Sequence, residues 1–266
     1  MDPIKTASET QRGALIIIDP QNDFCDQRGS LYVDGAASDI ERLARHIRNA
    51  GENIDYAGIF VSLDSHDRVA IFHPRFWMSG SGAPDPYASI TVGDFESRKF
   101  RVASPGNEEY AARMFSVMKR KGVDSMMIWP EHCIVSTWGH QIADELRDAL
   151  AEWRRRTGLA VRYVFKGENP YTDQFSIFEG LDDTWPETAF NKTLLERLAA
   201  FDSVTFAGEA LSHCVESSIL SYVTGLGEKK QPLLLLADCT SSVASFDRGV
   251  SIDRLAAVGV AFASAG

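Results

Sequence analysis

Four reactive side chains follow apolar, strand-like segments of the sequence. Asp19 ends ALIIID, Asp64 ends AGIFVSLD and Lys166 ends VRYVFK, while Cys214 comes a short turn after SVTFAG. A carboxylate at an apolar strand end has its pKa raised by desolvation, so Asp19 could act as a general base. An aspartate before a proline is also typical of a simple turn or helix cap, and its type alone leaves both interpretations open.

Cys214 stands at the predicted start of a helix, CVESSILSYVTGL. Unpaired N–H groups and the positive end of the helix dipole would favour its thiolate, and a nearby Lys166 would favour it further. Neither residue type requires a catalytic role. Most cysteines are buried small hydrophobic residues, and a lysine at a strand end usually reaches solvent.

A second group of side chains has the character of metal ligands. Asp64 and His66 are two residues apart and therefore face the same side of an extended segment. His132, in WPEHC, follows another strand-like segment and could supply a third ligand, for which His73 is the rival, either as ligand or as an outer partner. Cys133 could hydrogen-bond to His132 or share a metal with it. A carboxylate with imidazoles suits Zn²⁺, Fe²⁺ or Mn²⁺, and three protein ligands leave open coordination positions.

Strand-like and helical segments alternate along almost the whole chain. Unbroken apolar strands indicate a sheet covered on both faces, and the alternation indicates right-handed parallel crossovers. The prediction is a doubly wound, Rossmann-like α/β fold with a mostly parallel sheet of six or seven strands and helices on both faces. Ligands bind beyond the carboxyl ends of such strands. The predicted strands are 14–19, 57–64, 125–129, 161–166, 203–208, 233–238 and 258–264. The predicted helices are 38–51, 107–122, 140–158, 191–201, 214–226 and 246–259.

Residues 67–106 interrupt this alternation. The segment is rich in glycine, proline and aromatic residues, which predicts a long irregular insertion in a single domain spanning 1–266. Long irregular segments of compact domains are often functional lids. The histidines inside predicted helices, His46 and His140, are expected to be solvated.

Composition limits the partners. The net charge is −10 and the longest basic run is RRR at 154–156, which argues against binding to nucleic acid or to an anionic membrane. No apolar segment approaches the roughly 20 residues of a membrane span. The N-terminal segment lacks the apolar stretch of a signal peptide. The four cysteines, Cys25, Cys133, Cys214 and Cys239, are scattered, which favours a reducing, cytoplasmic location.

Five short motifs occur in a family-specific order. They are IIIDPQNDF, DSH, WPEHC, FKG and GEALSHCV, and together they sample residues 13–220. In this order the chain resembles the isochorismatase-like cysteine hydrolase superfamily and, within it, the nicotinamidases. The resemblance implies a triad of Asp19, Lys166 and Cys214. It also implies one divalent metal ion, zinc foremost with iron or manganese as alternatives, bound by Asp64, His66 and His132.

The same resemblance implies the rest of a substrate site. Ala210 would follow a non-proline cis peptide, and its amide and that of Cys214 would form the oxyanion hole. Glu209, directly before it, adds a charged residue type that the shorter nicotinamidases lack at this position. The pocket residues it implies are Phe24, Trp129, Phe175 and His213. Trp77, in the insertion around HPRFW, is a further candidate, because that segment could close over the site.

The implied reaction is hydrolysis of nicotinamide or a related aromatic or heterocyclic carboxamide to the acid and ammonia, through a thioester on Cys214. The metal would position a pyridine nitrogen or a bound water rather than the scissile bond, and the enzyme would be a homo-oligomer. Two alternatives remain: a hydrolase for a carbamoyl, ureido or hydrazide substrate with vestigial metal residues, and a catalytically silent small-molecule binding protein. Isochorismatase activity is disfavoured, because those enzymes generally lack the nucleophilic cysteine.

Overall fold

A six-stranded parallel sheet forms the centre of the molecule. The computed structural model describes residues 12–49, 56–80 and 82–266. The strands, in chain order, are β1 Gly13–Ile18, β2 Tyr56–Asp64, β3 Trp77–Met78, β4 Ser89–Thr91, β5 Arg101–Val102, β6 Ser125–Met127, β7 Arg162–Lys166, β8 Ser203–Gly208, β9 Leu233–Leu236 and β10 Ala261–Ala263. The central sheet has the order β10-β9-β8-β1-β2-β7.

Helices cover both faces of this sheet. In chain order they are α1 Asn22–Cys25, α2 Ala36–Asn49, α3 Val92–Glu96, α4 Glu108–Lys121, α5 Asp144–Thr157, α6 Lys192–Leu198, α7 Glu216–Leu226 and α8 Arg248–Ala257.

Alternate residues of β1 pack into different hydrophobic cores, because successive strand side chains point to opposite faces of the sheet. Leu15 and Ile17 join the core formed with α2, α4 and α5. Ala14, Ile16 and Ile18 join the core formed with α6, α7 and α8. The predicted α/β class and parallel sheet are confirmed.

Two predicted elements differ from the observed ones. The segment predicted as a strand at 125–129 is shorter and pairs antiparallel with β4, outside the central sheet. A π-helical turn, Leu211–Val215, precedes α7, so Cys214 lies within this turn and not at the first residue of the helix. The predicted end of the helix at 38–51 falls at residues 50 and 51, which lie outside the described part of the chain.

The segment 67–106 carries several short elements and large buried side chains. It contains two 3₁₀ turns, Pro74–Phe76 and Pro105–Asn107, together with β3, β4, α3 and β5. Phe76 and Trp77 have no exposed surface, and the indole N–H of Trp77 donates to the carbonyl of Ile71. Trp77 therefore packs into the apolar core beneath this segment.

Across the described ranges, no helix combines the length and apolarity that crossing a membrane requires.

Candidate active site

The ammonium group of Lys166 is the centre of a buried cluster at the carboxyl ends of the strands. Its Nζ lies 3.0 Å from Asp19 Oδ2, 2.9 Å from Asp64 Oδ1 and 3.5 Å from Cys214 Sγ. Lys166 and Asp64 are register partners in β7 and β2, and Asp19 directly follows β1. The parallel sheet thus brings together residues that are up to 195 positions apart in the chain. Lys166 also donates to the carbonyl of Gln174 at 3.2 Å.

Asp19 is held by its backbone and by Ser62. Its φ of 43° lies in the left-handed region, which few non-glycine residues adopt and which turns the chain sharply at the strand end. The Ser62 hydroxyl donates to Asp19 Oδ1 at 2.6 Å and accepts the Asp19 N–H at 3.0 Å. Burial raises the pKa of the Asp19 carboxyl, and Lys166 opposes this in part. The result is a positioned carboxylate with increased proton affinity, as a general base requires.

The buried charges of Lys166 and Asp64 stabilise each other. Burial by itself lowers the pKa of Lys166, but Asp19 and Asp64 outweigh it and hold that pKa well above its ordinary value. Burial likewise raises the pKa of Asp64, but His66 and Lys166 outweigh it and hold that pKa well below its usual range. Both groups are therefore charged at neutral pH.

Cys214 differs from the sequence expectation of a resting thiolate. Burial raises the pKa of its thiol well above the ordinary value, and Lys166 lowers it only in part. The thiol therefore keeps its proton in the free protein, and a base has to remove it. The acceptor atoms of Asp19 and Asp64 and the Cys214 sulfur all lie within 4.8 Å of one another, so Asp19 is close enough for that role.

The backbone before Cys214 offers a hydrogen-bond donor. The Glu209–Ala210 peptide is cis, as the resemblance implies. Within the described residues, the Ala210 N–H donates no hydrogen bond. Gly208 has a φ of 106°, and a Cβ there would lie 2.1 Å from the carbonyl oxygen of Ile18, so only glycine fits where β8 turns past β1.

Asp64, His66 and His132 form a buried group that could hold a metal ion. Their donor atoms lie within 4.8 Å of one another. The Nδ1 atom of His66 is 3.0 Å from the carbonyl of Gly167, and that of His132 is 2.8 Å from the carbonyl of Pro130. With Nδ1 facing a backbone carbonyl in each ring, Nε2 is the ring atom available to a metal, and these Nε2 atoms lie 3.0 and 3.7 Å from Asp64 Oδ2. Two imidazole nitrogens and one carboxylate oxygen this close together fit a shared cation.

The other metal candidates lie outside this group. His73 Nε2 is 3.4 Å from His132 Nδ1, on the side of the ring opposite its Nε2. Burial lowers the pKa of His73 to about 2, so its ring is neutral. The Cys133 N–H donates to Asp23, and its sulfur is not among the clustered donor atoms.

Two positioning residues were missed by sequence reasoning. The Gln21 side chain donates to the Asp64 carbonyl and accepts the Asp64 N–H, both at 2.7 Å, and so holds the backbone of that residue. Ser62, described above, holds Asp19. Both carried a signal, because Gln21 lies in PQNDF and Ser62 shares a strand face with Asp64.

Comparisons with known proteins agree with these motifs. No family model matches the chain. It is 27% identical over 222 residues to the nicotinamidase of Saccharomyces cerevisiae, covering 83% of this chain and 85% of that protein. It is 28% identical over 234 residues to the nicotinamidase/pyrazinamidase of Mycobacterium tuberculosis, covering 87% and 88%. The chain is thus similar to the nicotinamidase-like branch of the cysteine hydrolase superfamily. The relatives support an amidohydrolase acting on a linear amide.

Solved structures show the same fold. The yeast nicotinamidase has a TM-score of 0.66 at 24% identity, covering 94% of this chain and 98% of that one. The pyrazinamidase of Pyrococcus horikoshii, solved in complex with zinc, has a TM-score of 0.58 at 18% identity, covering 95% and 99%.

A small cavity, here called the inner pocket, adjoins the Cys214 sulfur in this nicotinamidase-like chain. Its volume is about 30 Å³. Four of the predicted pocket residues line it, and Trp77, which lies in the core under 67–106, does not. The lining includes Asp64, His66, His132, Cys214, Ala210, Phe24, Leu31, Phe72, Trp129, Phe175, His213 and Val243.

Glu209 contributes no charge to the oxyanion turn. It has no exposed surface, accepts the Ser241 N–H at 3.0 Å and lies near the Asp39 carboxyl. Burial, followed by the nearby Asp39, raises the pKa of Glu209 well above its ordinary value. The carboxyl is therefore protonated and links the turn to neighbouring segments.

Proposed function

We propose that the chain hydrolyses nicotinamide or a closely related aromatic carboxamide to the acid and ammonia through a thioester on Cys214. The observation that carries the proposal is the position of Lys166 Nζ, 3.0 Å from Asp19 Oδ2 and 3.5 Å from Cys214 Sγ. This arrangement gives a thiol, a base and a buried cation in direct contact. The nicotinamidase relatives from yeast and M. tuberculosis support the substrate class.

In the first half-reaction, Asp19 accepts the thiol proton while the Cys214 sulfur attacks the amide carbon. The carbonyl π electrons move to the oxygen, and the N–H groups of Ala210 and Cys214 donate to that developing oxyanion. Reforming of the carbonyl breaks the C–N bond, and Asp19 delivers its proton to the nitrogen, which leaves as ammonia.

In the second half-reaction, the Asp19 carboxylate takes a proton from water as the water oxygen attacks the thioester. The C–S bond breaks, the acid leaves and Cys214 regains a proton. Lys166 stays charged throughout, because its buried partners hold its pKa high, and it stabilises the negative charge as it moves between Asp19 and Cys214.

We further propose that Asp64, His66 and His132 hold a divalent metal ion, for which zinc is the first candidate. Their two Nε2 lone pairs and one carboxylate fit a cation of this kind. When bound, the ion would supply a Lewis-acid anchor for a ring nitrogen of the substrate, away from the scissile bond.

Ammonia release from nicotinamide tests the proposed reaction. We expect rapid release by the purified protein and a loss of roughly three orders of magnitude or more in Cys214→Ala, because the nucleophile is gone. Cys133→Ala is the matched control, since its buried sulfur lies outside the cluster. Retained turnover in Cys214→Ala, or loss only in Cys133→Ala, would contradict the assignment.

Metal content tests the ligand set independently of turnover. Purified wild-type protein is expected to hold close to one divalent ion per chain, and His66→Asn to lose it. His140→Asn is the control, because that half-buried ring hydrogen-bonds to Ser65 and lies outside the ligand group. Equal metal content in wild type and His66→Asn would contradict the metal site.

A further inference from the structure

A second cavity adjoins the inner pocket. This outer cavity has a volume of about 520 Å³, within the range of small-molecule sites. Its wall is mainly apolar, with Val123, Met126, Met127, Leu181 and Phe246 contributing. The inner pocket, at about 30 Å³, is much smaller.

The two cavities share one wall. Trp129, Asp173, Phe175 and His213 line both of them. The His213 ring lies 5.2 Å from Trp129, 5.3 Å from Phe175 and 4.5 Å from Phe246, centroid to centroid. Burial lowers the pKa of His213 to about 4, so the ring is uncharged at neutral pH. An aromatic partition of this kind offers flat, apolar surfaces to a planar substituent that passes from one cavity to the other.

Charged groups around the outer cavity disfavour an anionic occupant, and its mainly apolar wall favours an uncharged one. Lys121 is ion-paired to Asp183 at 3.1 Å, and Glu179 accepts the Ser221 hydroxyl at 3.0 Å. Burial raises the pKa of Asp173 to about 6, so this carboxyl is mostly ionised at pH 7 and would repel an anionic substituent.

We propose that the inner pocket and the outer cavity form one substrate site, whose substrates are aromatic carboxamides with a flat, neutral, apolar extension on the ring. The carboxamide would lie at Cys214 and the extension would pass the His213 partition into the outer cavity. The inference rests on the proposed amide hydrolysis and extends it, because nicotinamide itself would leave the outer cavity to solvent.

The test compares kcat/KM for nicotinamide, 5-phenylnicotinamide and 6-phenylnicotinamide, with 4-carboxyphenyl analogues as charged controls. At least one phenyl compound is expected to reach one tenth of the nicotinamide value or more, and its carboxyphenyl analogue to be at least tenfold poorer. Ser217→Phe, on α7, would place a phenyl ring in the outer cavity and lower the preference for the phenyl compound over nicotinamide at least tenfold. Thr224→Phe adds the same side chain to an exposed position of the same helix and is expected to leave that preference unchanged.

The outcomes separate this inference from the proposed function. Hydrolysis of nicotinamide with both phenyl compounds below one tenth of its value would overturn the inference and leave the proposed function standing. An unchanged preference in Ser217→Phe, or an equally good carboxyphenyl analogue, would also overturn it. No hydrolysis of any compound would overturn the proposed function, and the inference with it.

Discussion

Two carboxyl groups at adjacent strand ends, Asp19 and Glu209, contrast sharply. Asp19 follows β1 and Glu209 follows β8, and the last residues of these strands, Ile18 and Gly208, are register partners. Neither carboxyl residue has exposed surface. Burial raises the pKa of both, yet one is the proposed base and the other a neutral structural link.

The nearest partner makes the difference. Lys166, 3.0 Å away, opposes the desolvation of Asp19 and so favours the ionised form of its carboxyl. Asp39 adds to the desolvation of Glu209, so a proton is retained instead. The neutral Glu209 carboxyl accepts the Ser241 N–H, and the Ser241 carbonyl accepts the Leu211 N–H at 2.8 Å. This closed set of hydrogen bonds positions the turn that carries Ala210. Burial alone therefore does not decide whether a carboxyl is reactive.

The largest expected effect follows from removing the proposed base, Asp19. Asp19→Asn keeps the shape of the side chain but cannot accept the thiol proton, so kcat/KM for nicotinamide should fall by roughly 10²–10⁴-fold. Steady-state ammonia release measures this, with circular dichroism to verify folding. Asp34→Asn, at an exposed position, is the control. A loss of less than tenfold would show that Asp19 is not the base.

Replacing Lys166 tests whether its ammonium group stabilises the buried carboxyl groups beside it. Lys166→Met leaves the buried carboxylates of Asp19 and Asp64 without their partner, and the free energy of unfolding should fall by about 3–5 kcal/mol. Urea denaturation gives this value, and Lys192→Met, on the surface, should stay within about 0.5 kcal/mol of wild type. Alkylation of Cys214 near neutral pH should also slow, because the thiol pKa rises further. Unchanged stability and alkylation would contradict the role of the ion pair.

A smaller, pH-dependent effect tests the neutral state of Glu209. Because its pKa is raised in the folded protein, its contribution to stability is complete below the unfolded-state pKa of about 4.3 and declines as pH rises towards the folded value. The decline is at most about 1.4 kcal/mol per pH unit. Glu209→Gln has no proton to lose, so its stability relative to wild type should improve between pH 5 and pH 8. Urea unfolding at several pH values measures this, with exposed Glu41→Gln as control. Parallel plots of unfolding free energy against pH for wild type and Glu209→Gln would contradict the neutral state of Glu209.

The local pattern of apolar residues was sufficient to predict much of the secondary structure. The apolar runs that end at Asp64, Lys166 and Gly208 are strands that end at those residues. The run at 125–129 has the same local character, but its strand pairs with β4 outside the central sheet. A short apolar segment does not identify its partner, because pairing is decided by distant parts of the chain.

Contacts between distant residues were beyond the sequence reading. His46 lies in a helical pattern and was expected to be solvated, which is wrong, because its ring is buried between the Tyr56 hydroxyl and the Ala265 carbonyl. The Glu209–Asp39 contact could not be foreseen either, since 170 positions separate the two residues. Trp77 was expected in the pocket because its insertion could close over the site, and the folding of 67–106 places it in the core instead.

The sequence by itself determined the strand–helix alternation, the positions of the strand ends and the residue types available there. These depend on the periodicity of apolar side chains and on the order of motifs, which are local properties. Only the tertiary structure decided which strand ends lie side by side, and so which carboxyl meets Lys166 and which meets Asp39. Charge state in a buried site depends on neighbours within a few ångströms, and the folded chain alone brings those neighbours together.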